Sequence, residues 1–146
     1  MDRNLALIIT VLTGGLIALQ APINSTLGRS VGTFAAAAVS FAIGTAVLVA
    51  ITLVAGGGFG QVGEARNLSL QYLTGGVLGA AYVTTVLVTV RELGAGGVTA
   101  ATITGQLTAS VVIDRLGVLG LEQSPITLER ALGVALLLAG TFLIVR

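Results

Sequence analysis

The stretch Gly105–Asp114, reading GQLTASVVID, puts an amide and then a carboxylate into an otherwise apolar segment. Read as an α-helix, it aligns Thr102, Gln106, Ser110 and Asp114 at successive i, i+4 positions on one stripe. Gly97, Ala101, Gly105 and Ala109 form a small-residue stripe beside it. One stripe can hydrogen-bond, and the other lets a second backbone approach closely. A helix over 95–116 has the ~20 residues needed to cross ~30 Å of hydrocarbon, with Gln106 near its midpoint. Asp114 lies roughly 12 Å further along, close to the interface.

Composition extends this reading to the whole chain. Of its 146 residues 55% are hydrophobic and 9% charged, and mean hydropathy is +1.04, against about 25% charged residues in a soluble domain. The chain is expected to be a single all-α transmembrane domain over 1–146, with the lipid bilayer as its surroundings. Its seven basic residues, all arginine, nearly cancel six acidic ones, so there is no basic field to attract nucleic acid. Without cysteine or histidine, disulfides, thiolate chemistry and the usual zinc sites are excluded. No paired carboxylates and no nucleophile with a base converge, so neither an enzyme nor a cofactor site is expected.

Five spans are predicted, over about 5–27, 33–55, 70–90, 95–116 and 127–145. The first carries Gln20 and Asn24 around Pro22, which frees a carbonyl one turn back and predicts a kink. A secretory leader with Arg3 as its basic end and cleavage after Ala21 fits less well, because position −3 would be the bulky Leu19. Arg29-Ser30-Val31-Gly32 is the first turn, and Ala36, Ser40 and Gly44 give helix 2 a small-residue seam. The run Gly56–Gly60 lacks the Gly-Lys-Ser/Thr ending of a phosphate loop and reads as a flexible surface loop. Helix 3 carries the pair Gly75 and Gly79 as a packing motif, and Tyr82 near mid-span, where its hydroxyl must find a partner inside the bundle. Arg91–Gly94 is a tight reversal. Ser124-Pro125, Thr127 and Glu129 mark the start of helix 5, whose Ala131, Ala135 and Ala139 are expected to pack.

Five spans place Arg3, Arg66, Arg115 and Arg130 on one side of the membrane and Arg29, Arg91 and Arg146 on the other. Four against three is almost no positive-inside bias. Insertion in both orientations would let two antiparallel copies assemble into a ten-helix inverted repeat. In such a pair both Gln106 amides lie near the midplane, with Tyr82 and Gln20 lining a cavity. Asn24 of one copy comes level with Asp114 of the other as part of a gate, and Ser110 lies between. Asp114 could equally be an ordinary interfacial pair with Arg115.

Gln20-x-Pro22-x-Asn24, Arg91-x-Leu93-Gly94-Ala95, Gly105-Gln106-Leu107-x-Ala109-Ser110 followed by Asp114, and the closing segment Gly133–Arg146 together resemble the five-helix YdcZ-like proteins of the drug/metabolite transporter superfamily. The resemblance spans almost the whole chain. It implies a multi-pass protein of the cell inner membrane that resembles half of a ten-helix exporter, in a family whose substrates are largely undefined. A transporter of a metabolite or drug-like molecule, working as a homodimer, is expected. The related four-helix small multidrug resistance family uses a glutamate within helix 1. No acidic residue lies between Arg3 and Gln61 here, so that coupling is not carried over. The alternatives are a small dual-topology ion channel, against which Phe34, Phe41, Phe59 and Phe142 are dispersed rather than clustered at a pore, and a structural membrane subunit without flux.

Overall fold

The computed structural model describes residues 2–146, and the regular structure of the described residues is all helical. It comprises α1 (Arg3–Val31), α2 (Thr33–Val54), two short 3-10 turns (Val62–Asn67 and Leu70–Leu73), α3 (Gly75–Leu116) and α4 (Leu128–Val145). All four α-helices are long and apolar enough to span a bilayer. At 42 residues α3 is about twice the length one crossing requires. Gly94, with φ 69° and ψ 169°, breaks it into segments 75–93 and 95–116. Five membrane-length helical segments result.

Two of the breaks share one device. Gly32, between α1 and α2, has φ 90° and ψ 151°, nearly the conformation of Gly94. That region of backbone space is essentially reserved for glycine, since a Cβ there collides with the chain itself. At Gly32 one residue both closes one helix and opens the next: its N–H donates to the Gly28 carbonyl (3.0 Å) and its own carbonyl accepts from Ala36 (2.9 Å). Both glycines lie three residues after an arginine, Arg29 and Arg91. No loop is needed.

Helix 1 is longer than the sequence pattern suggested, running to Val31, because only Gly32 stops it. The helix continues through Pro22. The third span becomes α-helical at Gly75 rather than Leu70, the preceding residues forming 3-10 turns. The glycine run after α2 is partly a cap: Gly56 and Gly58 donate to the Thr52 carbonyl at 3.2 and 2.9 Å. A Cβ on Gly56 would come within 3.0 Å of the Thr52 backbone. Capping explains the glycine there.

The chain forms two compact units. In the unit made of Ala21–Val88, Ala36 and Ala37 of α2 meet Val83 and Leu87 of α3 in a small core, with Leu27 of α1 and Tyr82 packed against it. Gly79 lies against the Phe41 ring, where an added Cβ would stand 3.4 Å from Cζ. Gly75 has open space around it. Alanines and glycine opposite larger side chains let helices close without a water-driven core, as expected in lipid.

The other unit joins the residues up to Gln20 with Thr89–Arg146, and its centre is an antiparallel hairpin of segment 95–116 and α4. Its register is pinned at three heights. Gly97 approaches Val145, Thr104 meets Thr141 and Leu137, and Asp114 meets Arg130. The connection is held by the Ser124 N–H on the Asp114 carbonyl (2.8 Å) and by Gln123 Nε2 on the Arg115 carbonyl (2.9 Å). These bonds satisfy carbonyls that the end of α3 leaves free. Thr127 opens α4 by accepting from the Arg130 N–H (3.3 Å).

Candidate functional site

Several threonines within the helices satisfy themselves. Thr10, Thr13, Thr26, Thr52 and Thr85 each donate to the carbonyl four residues earlier, at 2.8–2.9 Å. A hydroxyl whose one proton is spent on its own helix costs little in hydrocarbon. Amides are different. Asn and Gln carry two donors and an acceptor that a single helix cannot satisfy, so each needs a neighbour.

Asn24 is the sharpest case. It shares the buried face of α1 with Ala21, Ser25 and Gly28 and is 5% exposed, yet its side chain makes no hydrogen bond among the described residues. No fully enclosed side-chain nitrogen or oxygen among those residues lacks a partner, so the Asn24 amide keeps a narrow opening to the outside. One turn later Leu27 packs on the cluster that Tyr82 also borders. The Tyr82 ring is half-buried in that packing, and its hydroxyl also forms no hydrogen bond among the described residues. None of the described residues supplies the internal partner expected for it.

The remaining expected residues lie in the other unit. Gln20, Gln106 and Ser110 are exposed on their helices, again without hydrogen bonds among the described residues. Asp114 is half-buried and paired across the hairpin with Arg130, Nη1 to Oδ2 3.4 Å. Its described partner is therefore Arg130 of α4 rather than the adjacent Arg115. With side chains 37–39% exposed, this pair sits where solvent or headgroups can screen it.

The small-residue stripe divides. Gly97 is buried, and a Cβ there would meet Leu93 at 3.1 Å and Val145 at 3.5 Å. Gly105 is exposed with nothing within 4 Å of an added Cβ, and Ala101 and Ala109 are exposed as well. These three line an open groove of about 690 Å³ with Thr104, Thr108, Val112, Leu138 and Thr141. The reason is geometric: each i, i+4 step advances by about 40° beyond a full turn, so Gly97 and Ala109 lie about 120° apart on the helix.

Gly97 apart, the residues that join the hairpin were not marked by that stripe. Thr104 is buried at 7% exposure, its hydroxyl 2.6 Å from that of Thr141 and 2.9 Å from the Ala100 carbonyl, and Thr141 reaches the same carbonyl at 3.1 Å. Each hydroxyl has one proton, so one donates to the other and the second donates to Ala100. Gly97, Ala100 and Thr104 succeed one another at i+3 and i+4, the spacing of a packed seam. That spacing, rather than strict i+4, is the signal that would have found Thr104.

An all-helical chain with several membrane-length apolar helices is a multi-pass membrane protein. The chain matches, over residues 5–143, the family described as "Putative inner membrane exporter, YdcZ", within the drug/metabolite transporter group, and it belongs to that family. Its location is accordingly the inner membrane. No curated protein and no solved structure matches it.

Proposed function

We propose that this chain exports a small molecule by alternating access, working as an antiparallel homodimer in which two five-span copies make a ten-helix inverted repeat. Asn24 and Tyr82 supply hydrogen bonds to the substrate. Gln106, with Gln20 and Ser110, lines the cavity once the second copy covers these faces, and Asp114 with Arg130 stands at the gate. The observation that carries this reading is the buried Asn24 amide without a partner among the described residues. Its need for a hydrogen bond is met by something that enters, as a substrate does. The exposed mid-span Gln106 favours a second copy, because an unsatisfied amide facing hydrocarbon is costly.

The test is a thermal-shift screen of the purified protein against metabolites, followed by counterflow in proteoliposomes with each hit. A carrier saturates and shows counterflow that Gln106→Ala abolishes while folding and dimerisation persist. Passive, non-saturating ion flux would identify a channel instead. Protein that shows neither flux nor ligand-induced stabilisation would be a structural subunit.

A further inference from the structure

The helix interiors hold no counter-charge. Between Arg3 and Glu64 the one charged residue is Arg29, at the end of α1; the intervals 67–90, 93–113 and 131–145 contain none. The acidic residue nearest to a span interior, Asp114, is already engaged by Arg130 at the hairpin end. In the Ala21–Val88 unit the buried Asn24 and the half-buried Tyr82, neither with a hydrogen bond among the described residues, offer an amide and a phenol. Tyr82 packs against Ala36, Ala37, Val83 and Leu87, as does Leu27, one turn beyond Asn24 on α1.

We infer that the substrate is a net-uncharged organic molecule that combines an amide-like or alcohol-like hydrogen-bonding group with an apolar body. This rests on the reading of Asn24 and Tyr82 as substrate contacts and adds the chemical class. An ion that moves between the spans gives up its hydration and meets no opposite charge within the helix interiors, a large desolvation penalty that hydrogen bonds to neutral groups do not offset. A neutral amide or alcohol finds the reverse. Asn24 offers both a donor and an acceptor, Tyr82 a hydroxyl, and the half-buried Leu27 an apolar surface for the rest of the molecule.

Three probes with one skeleton separate the possibilities: N-benzylacetamide, benzylammonium and phenylacetate, measured at pH 7 by saturation-transfer NMR on the full-length protein in detergent. The wild type is expected to bind N-benzylacetamide saturably and at least tenfold more tightly than either ion. Asn24→Asp should reverse the preference toward benzylammonium by at least tenfold, because it places a carboxylate where the amide was. Tyr82→Phe, which removes only a hydroxyl and keeps the ring in its packing, should weaken the neutral probe several-fold. If either ion binds as well as the neutral probe and Asn24→Asp shifts that binding, the site stands and the chemical class is wrong. If all binding is indifferent to both Asn24→Asp and Tyr82→Phe in protein that remains folded and monodisperse, the site itself is wrong. Absence of saturable binding by N-benzylacetamide overturns the inference directly.

Discussion

Gly94 and Gly96 are two residues apart and equally open, with nothing within 4 Å of an added Cβ at either position. They should nevertheless respond to alanine with opposite signs. Gly94 has φ 69° and ψ 169°, where an L-residue is strained by about 1–3 kcal/mol. Gly96 is inside a helix, where alanine reduces the freedom of the unfolded chain and stabilises by about 0.4–1 kcal/mol. Reversible unfolding in mixed micelles should therefore show Gly94→Ala destabilised and Gly96→Ala stabilised. Equal shifts would mean that Gly94 does not hold this conformation in the membrane. At this scale the sequence was legible where chemistry is local: Gly94 and Gly32 were visible as turns, and Asn24, Gln106 and Tyr82 as polar groups out of place. Partners were not legible, because the Arg130 that meets Asp114 is 16 residues away and only the hairpin register brings it near.

At the scale of elements, five apolar runs could be read from the sequence because lipid demands continuous helices about 20 residues long. Their ends were less legible. Apolar composition continues through Gly28–Val31, and nothing short of the backbone at Gly32 tells where α1 stops. The closest contact of the 95–116/α4 hairpin was also hidden, since threonine is common in such helices and most of its hydroxyls bond their own helix. Thr104 and Thr141 depart from that rule. Replacing either with valine keeps the shape but breaks the pair, which should destabilise the hairpin by about 0.6 kcal/mol and at most about 1.7 kcal/mol. A double-mutant cycle of Thr104→Val and Thr141→Val should show coupling of that order, whereas the same cycle on Thr104 and Thr108, one turn apart on one helix, should show less, since Thr108 donates to the Thr104 backbone carbonyl. Additive effects at Thr104 and Thr141 would show that the two hydroxyls do not act as a pair.

At the scale of the whole molecule, the arginine balance connects sequence to assembly. A carrier formed from one five-span chain in one orientation has no symmetry with which to present the same site to both faces of the membrane; two antiparallel copies have it by construction. The chain's signal for orientation is a difference of a single arginine, Arg3, Arg66, Arg115 and Arg130 against Arg29, Arg91 and Arg146. A reporter fused after Arg146 should therefore be detected on both sides of the membrane. Two or three lysines added within the exposed loop Gly56–Asn67 would add to the Arg66 side and are expected to bias the population strongly toward one orientation. The loop is remote from the helix interiors, so each chain should still fold. Transport should nonetheless fall, because correctly folded chains would lack opposite-facing partners, and it should return when a copy biased the other way, by lysines added near Gly32, is co-expressed. Recovery by the oppositely biased copy alone would separate loss of pairing from loss of folding. A reporter found on one side only in cells that still transport, or a lysine-biased variant that transports normally by itself, would mean that the protein works without an antiparallel partner.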